Sequence, residues 1–186
     1  MRKLMLFAAC AMLAAVTQAA TVGWSLAGAS AFANDAYQFF VIGQNGATSI
    51  ATITALLDAG TDVSSYAFGS GAVNGSGSAT VAAGSSGKTL DAGTYTGFFV
   101  VYDAATPTAG SSSYAVVSGA GTLTKTIAST TANVSFASGN ASSILNNTDN
   151  WKSFGPASSG GDLPEPTSGL LLLVGGAMLA LRRKRG

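Results

Sequence analysis

Residues 93–103 read GTYTGFFVVYD, and their reading decides the fold. Successive side chains on a strand point to opposite faces. Here Tyr95, Phe99 and Val101 share one face, and Phe98, Val100 and Tyr102 share the other. A strand with water on one side alternates apolar with polar residues. One that is apolar on both sides is covered on both. The stretch therefore predicts a central, buried strand, with further structure packed above and below it.

Working outward, residues 104–112 hold Pro107 and Gly110 and read as a hairpin loop, after which 114–118 (YAVVS) return as a strand. Residues 122–127 and 132–137 (ANVSFA) read as two more. Upstream, 37–42 (YQFFVI) is aromatic and β-branched, a strand composition, and 43–46 (GQNG) supplies a turn. Residues 21–27 (TVGWSLA) place Val22, Trp24 and Leu26 on one face of an opening strand.

One segment breaks this rhythm. In TSIATITALLDAG, residues 48–60, Ile50, Ile53, Leu56 and Leu57 recur at helical spacing. Thr48 or Ser49 can cap its start and Gly60 its end. A short amphipathic helix is predicted; the β-branched content is the argument for a strand. Residues 62–68 are expected to add a helical turn anchored by Val63, Tyr66 and Phe68. The Gly/Ser/Ala-rich residues 69–87 read as a flexible loop or an edge hairpin, with a weak strand at 79–82. Trp151 and Phe154 are expected to fold back onto the core, and residues 155–163 to form a linker. The fold expected for residues 21–154 is thus mainly β: a β-sandwich-like or rolled antiparallel sheet with one short helix on one side.

Charge within this body is sparse. Lys88, Lys125 and Lys152 stand against seven aspartates (35, 58, 62, 91, 103, 149 and 162), a net charge of −4 between residues 21 and 163. Without a basic patch, nucleic-acid binding has no electrostatic support. Solubility rests on serine and threonine hydroxyls instead.

The two ends differ in character. Met1-Arg2-Lys3 precedes an apolar run over residues 4–16 and then Thr17-Gln18-Ala19-Ala20. A basic start, an apolar centre of this length and small residues before a cut describe a secretory signal peptide. It is expected over residues 1–20, with cleavage after Ala19 or Ala20. Cys10, the sole cysteine, lies within it, too close to the basic start for a lipid-attachment site. The exported chain is therefore expected to carry no disulfide.

Residues 164–186 read PEPTSGLLLLVGGAMLALRRKRG. Pro164 and Pro166 keep the backbone around Glu165 extended. Residues 167–181 are apolar or small around the whole circumference of a helix, as in a membrane segment. As a helix they span about 22 Å, short of a hydrocarbon core of about 30 Å. Arg182, Arg183, Lys184 and Arg185 follow at once. Bases stay on the cytoplasmic side and fix the orientation, and their long side chains snorkel to cover a short span.

These three parts, in this order at the C-terminus, resemble the PEP-CTERM sorting signal of Gram-negative bacteria. The resemblance covers residues 164–186 alone. It implies recognition by an exosortase, a membrane cysteine protease and transpeptidase that cuts near the Pro-Glu-Pro motif and passes the protein towards the cell surface, often alongside exopolysaccharide production. Pro164, Glu165 and Pro166 carry over as the recognition motif. Arg182, Arg183, Lys184 and Arg185 carry over as the stop-transfer end.

Chemistry is hard to place in the body. There is no histidine, which removes the commonest general base and metal ligand. No G-x-S-x-G, G-x-G-x-x-G or phosphate-loop spacing occurs. Asp58 and Asp62 flank Gly60, but helix capping and solvation account for them better than calcium does. The sequons at Asn74, Asn133, Asn140 and Asn146 are expected by chance in so hydroxyl-rich a chain. Trp24, Trp151, Tyr37 and Tyr114 could stack on sugars, with core packing as the ordinary reading. No catalytic, cofactor-binding or metal-binding residue is assigned. The expectation is a non-enzymatic surface or extracellular-matrix protein, anchored in the membrane until exosortase processes it. The alternative is a carbohydrate-binding module associated with exopolysaccharide, which a cluster of exposed aromatics would favour.

Overall fold

The computed structural model describes residues 18–119 and 123–156. Most of the signal segment, most of the linker and the whole tail lie outside the described residues. In chain order the strands are β1 (Ala20–Ala27), β2 (Ala36–Val41), β3 (Gly69–Ala72), β4 (Ala79–Val81) and β5 (Thr89–Leu90). They continue with β6 (Gly93–Tyr102), β7 (Ser113–Val117), β8 (Thr124–Ile127), β9 (Asn133–Asn140) and β10 (Trp151–Ser153). Helix α1 is Ile50–Asp58, and a single turn, α2, is Ser142–Leu145.

β6 is the central strand that its sequence predicts. Phe98 through Val101 are fully buried. β2 pairs along one edge, Tyr37 opposite Val101 and Val41 opposite Gly97. β7 pairs along the other, Phe99 opposite Val117. The shorter β8 continues β7's line, Thr96 opposite Thr124. Backbone directions separate the two edges: Ile42 N–H bonds Thr96 O on β2's side, and Gly97 N–H bonds Leu123 O on β8's. With β3 beyond β2 and β10 beyond β7, these six strands form one sheet.

The second sheet is built on β1. Val22 N–H reaches Lys88 O on one side and Thr21 N–H reaches Ala132 O on the other. β4 and β5 accordingly share one edge of β1, and β9 takes the other. β9 runs parallel to β1. Every other strand pair in the two sheets is antiparallel. The expected mainly β, antiparallel architecture therefore holds apart from this one pair. The turn after β8 carries the chain across to the second sheet rather than folding it back beside β8.

Between the sheets lies one core, with Val22, Trp24, Leu26 and Phe136 facing Tyr37, Phe39, Phe99 and Val101. A second core covers the opposite face of β6, where Phe40, Phe98, Val100 and Tyr102 meet Ile53 and Leu57 of α1. The described residues therefore form three layers: sheet, sheet and helix. α1 starts where Ser49 accepts the Thr52 N–H at 3.0 Å, which satisfies one of the first turn's free donors. It stops at Gly60, whose φ of +73° suits glycine. Fully burying Ile53 and Leu57 contributes about 1.5–3 kcal/mol each.

The glycine-rich stretch is neither a loop nor an edge hairpin. Its two strands belong to different sheets, β3 to the first and β4 to the second. The connection closes over one end of the sandwich: Val73 is 1% exposed and exchanges backbone bonds with Asn34 and Asp35. Asn74 Oδ1 then accepts the Ser76 and Ser78 N–H groups at 3.1 and 3.0 Å. Glycine is needed here because a Cβ on Gly69 would lie 2.2 Å from the Trp24 ring. On β1, a Cβ on Gly23 would meet the Ala83 nitrogen and Val81 oxygen at 2.6 Å. Trp151 and Phe154 do return to the body, through β10 on β7, and Gly155 N–H bonds Leu57 O at 2.8 Å. The packed body thus extends to Gly155, the first residue of the expected linker.

Candidate functional site

Three of the four aromatics singled out in the sequence are core residues. Trp24, Tyr37 and Tyr114 are 4%, 3% and 1% exposed. Trp24 Nε1 donates to Tyr37 Oη at 3.2 Å, and its ring stacks on Phe39 at 5.3 Å. Tyr114 Oη donates to Asp58 Oδ1 at 2.6 Å, and Lys152 Nζ sits 3.9 Å from the same carboxylate. Burial, then the bond to Asp58, pushes the Tyr114 hydroxyl well above the ordinary phenol range. Asp62 accepts from the Ser64 N–H and hydroxyl at 2.8 and 2.9 Å. Asp58 and Asp62 thus serve the fold separately. Among the described residues, no group of three His, Cys, Asp or Glu side chains could hold a metal ion.

Trp151 is the exception. It opens β10, half-buried, with its ring 4.6 Å from that of Phe32 and tilted by 30°. Its indole N–H donates to Leu145 O at 2.7 Å, which fixes the ring. Phe32 comes from the turn Ser30–Phe32 between β1 and β2. Together they line a groove of about 480 Å³, with Leu145, Asn146 and Thr148 on one side and Asp103 and Ser113 on the other. Asp103 stands at the end of the β6–β7 hairpin, where its Oδ1 accepts the Ser113 N–H at 2.7 Å. Nearby, burial and then the Asp103 charge hold the Asp35 carboxyl above its ordinary value. The rim is therefore acidic.

Sequence reasoning named Trp151 but missed Phe32, an isolated apolar residue in AFAND with no periodic neighbours. Only its meeting with β10, more than a hundred residues later, makes it a platform. A second groove of about 410 Å³ lies between Gln38, Asp62, Tyr102 and Thr108. There Tyr102 Oη is already committed to Gln38 Oε1 at 3.0 Å.

The sorting residues Pro164, Glu165 and Pro166, and Arg182, Arg183, Lys184 and Arg185, lie outside the described residues. No helix among the described residues is long and apolar enough to cross a membrane; the apolar run over 167–181 is not among them. Ala19 is half-buried. Ala20 is fully buried and pairs with Leu90 at the start of β1. No protein-family model, curated protein or solved structure matches the chain.

Proposed function

We propose that this chain is an exported, non-enzymatic surface or extracellular-matrix protein, held in the membrane by its tail until an exosortase cuts it free. The observation that carries this reading is the tail itself: Pro164-Glu165-Pro166, fifteen apolar or small residues, then Arg182, Arg183, Lys184 and Arg185. The apolar run holds the protein without the length of a permanent anchor. The bases stop translocation and keep the C-terminus in the cytoplasm. The Pro-Glu-Pro turn keeps the bond region extended where a membrane protease reaches it.

Two features of the body agree with this processing. Cleavage after Ala19 leaves β1 whole, whereas cleavage after Ala20 removes a residue of the core. At the other end, the eight residues 156–163 can reach at most roughly 26–29 Å, which is enough to separate the motif from the packed body.

Replacing Pro164, Glu165 and Pro166 by alanine should leave insertion intact and block maturation. A larger, tail-bearing species should then accumulate in membranes of cells with an active exosortase. Neutralising Arg182 to Arg185 should instead weaken retention before processing. Trimming and release of the triple-alanine variant at the normal rate would sink the sorting reading in favour of an ordinary tail anchor.

A further inference from the structure

We infer that the groove between the Ser30–Phe32 turn and β10 binds a short stretch of neutral glycan, with Phe32 and Trp151 as the apolar platform and Asp103, Asn146 and Thr148 as the hydrogen-bonding rim. This goes beyond the sorting reading and does not depend on it. A pyranose ring has an apolar C–H face and a girdle of hydroxyls. It suits a site that offers aromatic surface at the floor and carboxylate, amide and hydroxyl groups at the edge. Aromatic rings contribute large contact areas with little freedom to lose. Here the ring is fixed in advance: the Trp151 indole N–H is tied to Leu145 O at 2.7 Å, and Phe32 packs against the ring at 4.6 Å. Preorganisation of this kind lowers the cost of binding. The volume, about 480 Å³, falls within the common range for small-ligand sites, about 300–1,000 Å³.

The rim is preset too. Asp103 Oδ1 is occupied by the Ser113 N–H at 2.7 Å, which aims the carboxylate and leaves Oδ2 without a partner among the described residues. Asn146 and Thr148 are exposed on the turn after α2. Charge decides the class of sugar. Asp103 lines the groove, Asp35 is near enough to feel its charge, and Asp149 follows Thr148 in the chain. Lys152, the residue after Trp151, points to the other face of its strand and pairs with Asp58 at 3.9 Å. A uronic-acid polymer would meet like charge, whereas a neutral glycan would not.

The test uses the full-length protein, purified in a detergent without a sugar headgroup. Neutral gluco-, manno- and galacto-oligosaccharides and an oligouronate are titrated while tryptophan emission is followed. At least one neutral series should give a saturable change, and the oligouronate none. Trp151→Ala, and separately Asp103→Asn and Asn146→Ala, should each weaken binding at least tenfold. The two rim changes alter exposed groups, so they remain informative if Trp151→Ala does not fold. Three results overturn the inference: no saturable response to any neutral series, undiminished binding by both rim variants, or preference for the oligouronate. None of these bears on the processing experiment, so the two readings fail separately.

Discussion

Phe39 is the hub of the inter-sheet core, and its removal should be among the most damaging single changes. It is fully buried. Its ring stacks on Trp24 at 5.3 Å, tilts against Phe99 at 4.8 Å and Phe136 at 5.6 Å, and meets Phe68 edge-on at 6.2 Å. Those partners come from β1, β6, β9 and the segment just before β3, so one side chain touches both sheets. Phe39→Ala opens a cavity that strands on both sides cannot close together, at a cost of about 3–5 kcal/mol. For a chain of 186 residues, at about 2–4 °C per kcal/mol, the melting temperature should fall by roughly 6–20 °C. Phe39→Leu keeps most of the bulk and loses ring–ring terms of about 0.5–1.5 kcal/mol per pair, so it should fall between the alanine variant and the parent. Thermal unfolding followed by circular dichroism measures both. Phe40→Ala is the comparison: Phe40 stacks on Phe98 at 5.0 Å in the helix-side core, so it should cost a similar amount without shifting Trp24 emission, which Phe39→Ala should shift. A fall of less than about 3 °C for Phe39→Ala, or equal emission changes in the two alanine variants, would refute the placement of Phe39 between the sheets.

Asp35 and Gly23 give further expectations. Burial and the Asp103 charge raise the Asp35 pKa from 3.8, so the folded state binds that proton more tightly than the unfolded chain. Stability is therefore lost as pH rises from about 3.8 through the folded value. Asp35→Asn should raise the denaturation midpoint at pH 7 and lose that advantage near pH 3, and an equal gain at both would contradict the assignment. Gly23→Ala forces a Cβ against backbone at 2.6 Å and should cost about 1–3 kcal/mol in chemical denaturation. Gly84→Ala, with open space around it, should change stability by no more than about 0.5 kcal/mol.

What was legible in the sequence was local. The doubly apolar run of β6, the 3-and-4 spacing of α1 with Ser49 and Gly60 at its ends, and the GQNG turn all carry their structure in neighbouring residues, and they formed as read. Within the glycine-rich stretch the weak strand at 79–82 forms as β4, whereas β3 and the pairing of both strands were hidden because that pairing is decided elsewhere. β3 (GSGA) has almost no side chains to declare a face, and the Trp24 ring occupies the space beside Gly69. The direction of β9 was equally hidden, since periodicity reports which face a strand buries and says nothing of its neighbour's orientation. The candidate groove shows the same division. Trp151 was noticed as an aromatic near the end of the body, but Phe32 becomes part of a site only through a contact between chain segments far apart.

The pairing of β1 with β9 sets a schedule for the chain. Thr21 and Asn133 hydrogen-bond partners lie 112 residues apart, so the longest ladder of the second sheet must wait for nearly the whole body to appear. At roughly 5–20 residues per second of synthesis, that wait is about 6–22 s. Meanwhile β1 can meet only the three residues of β4 and the two of β5. Contacts this distant in sequence also form slowly once both partners are present. On the proposed export route, this topology would itself delay closure of the second sheet until the chain has been threaded through the membrane.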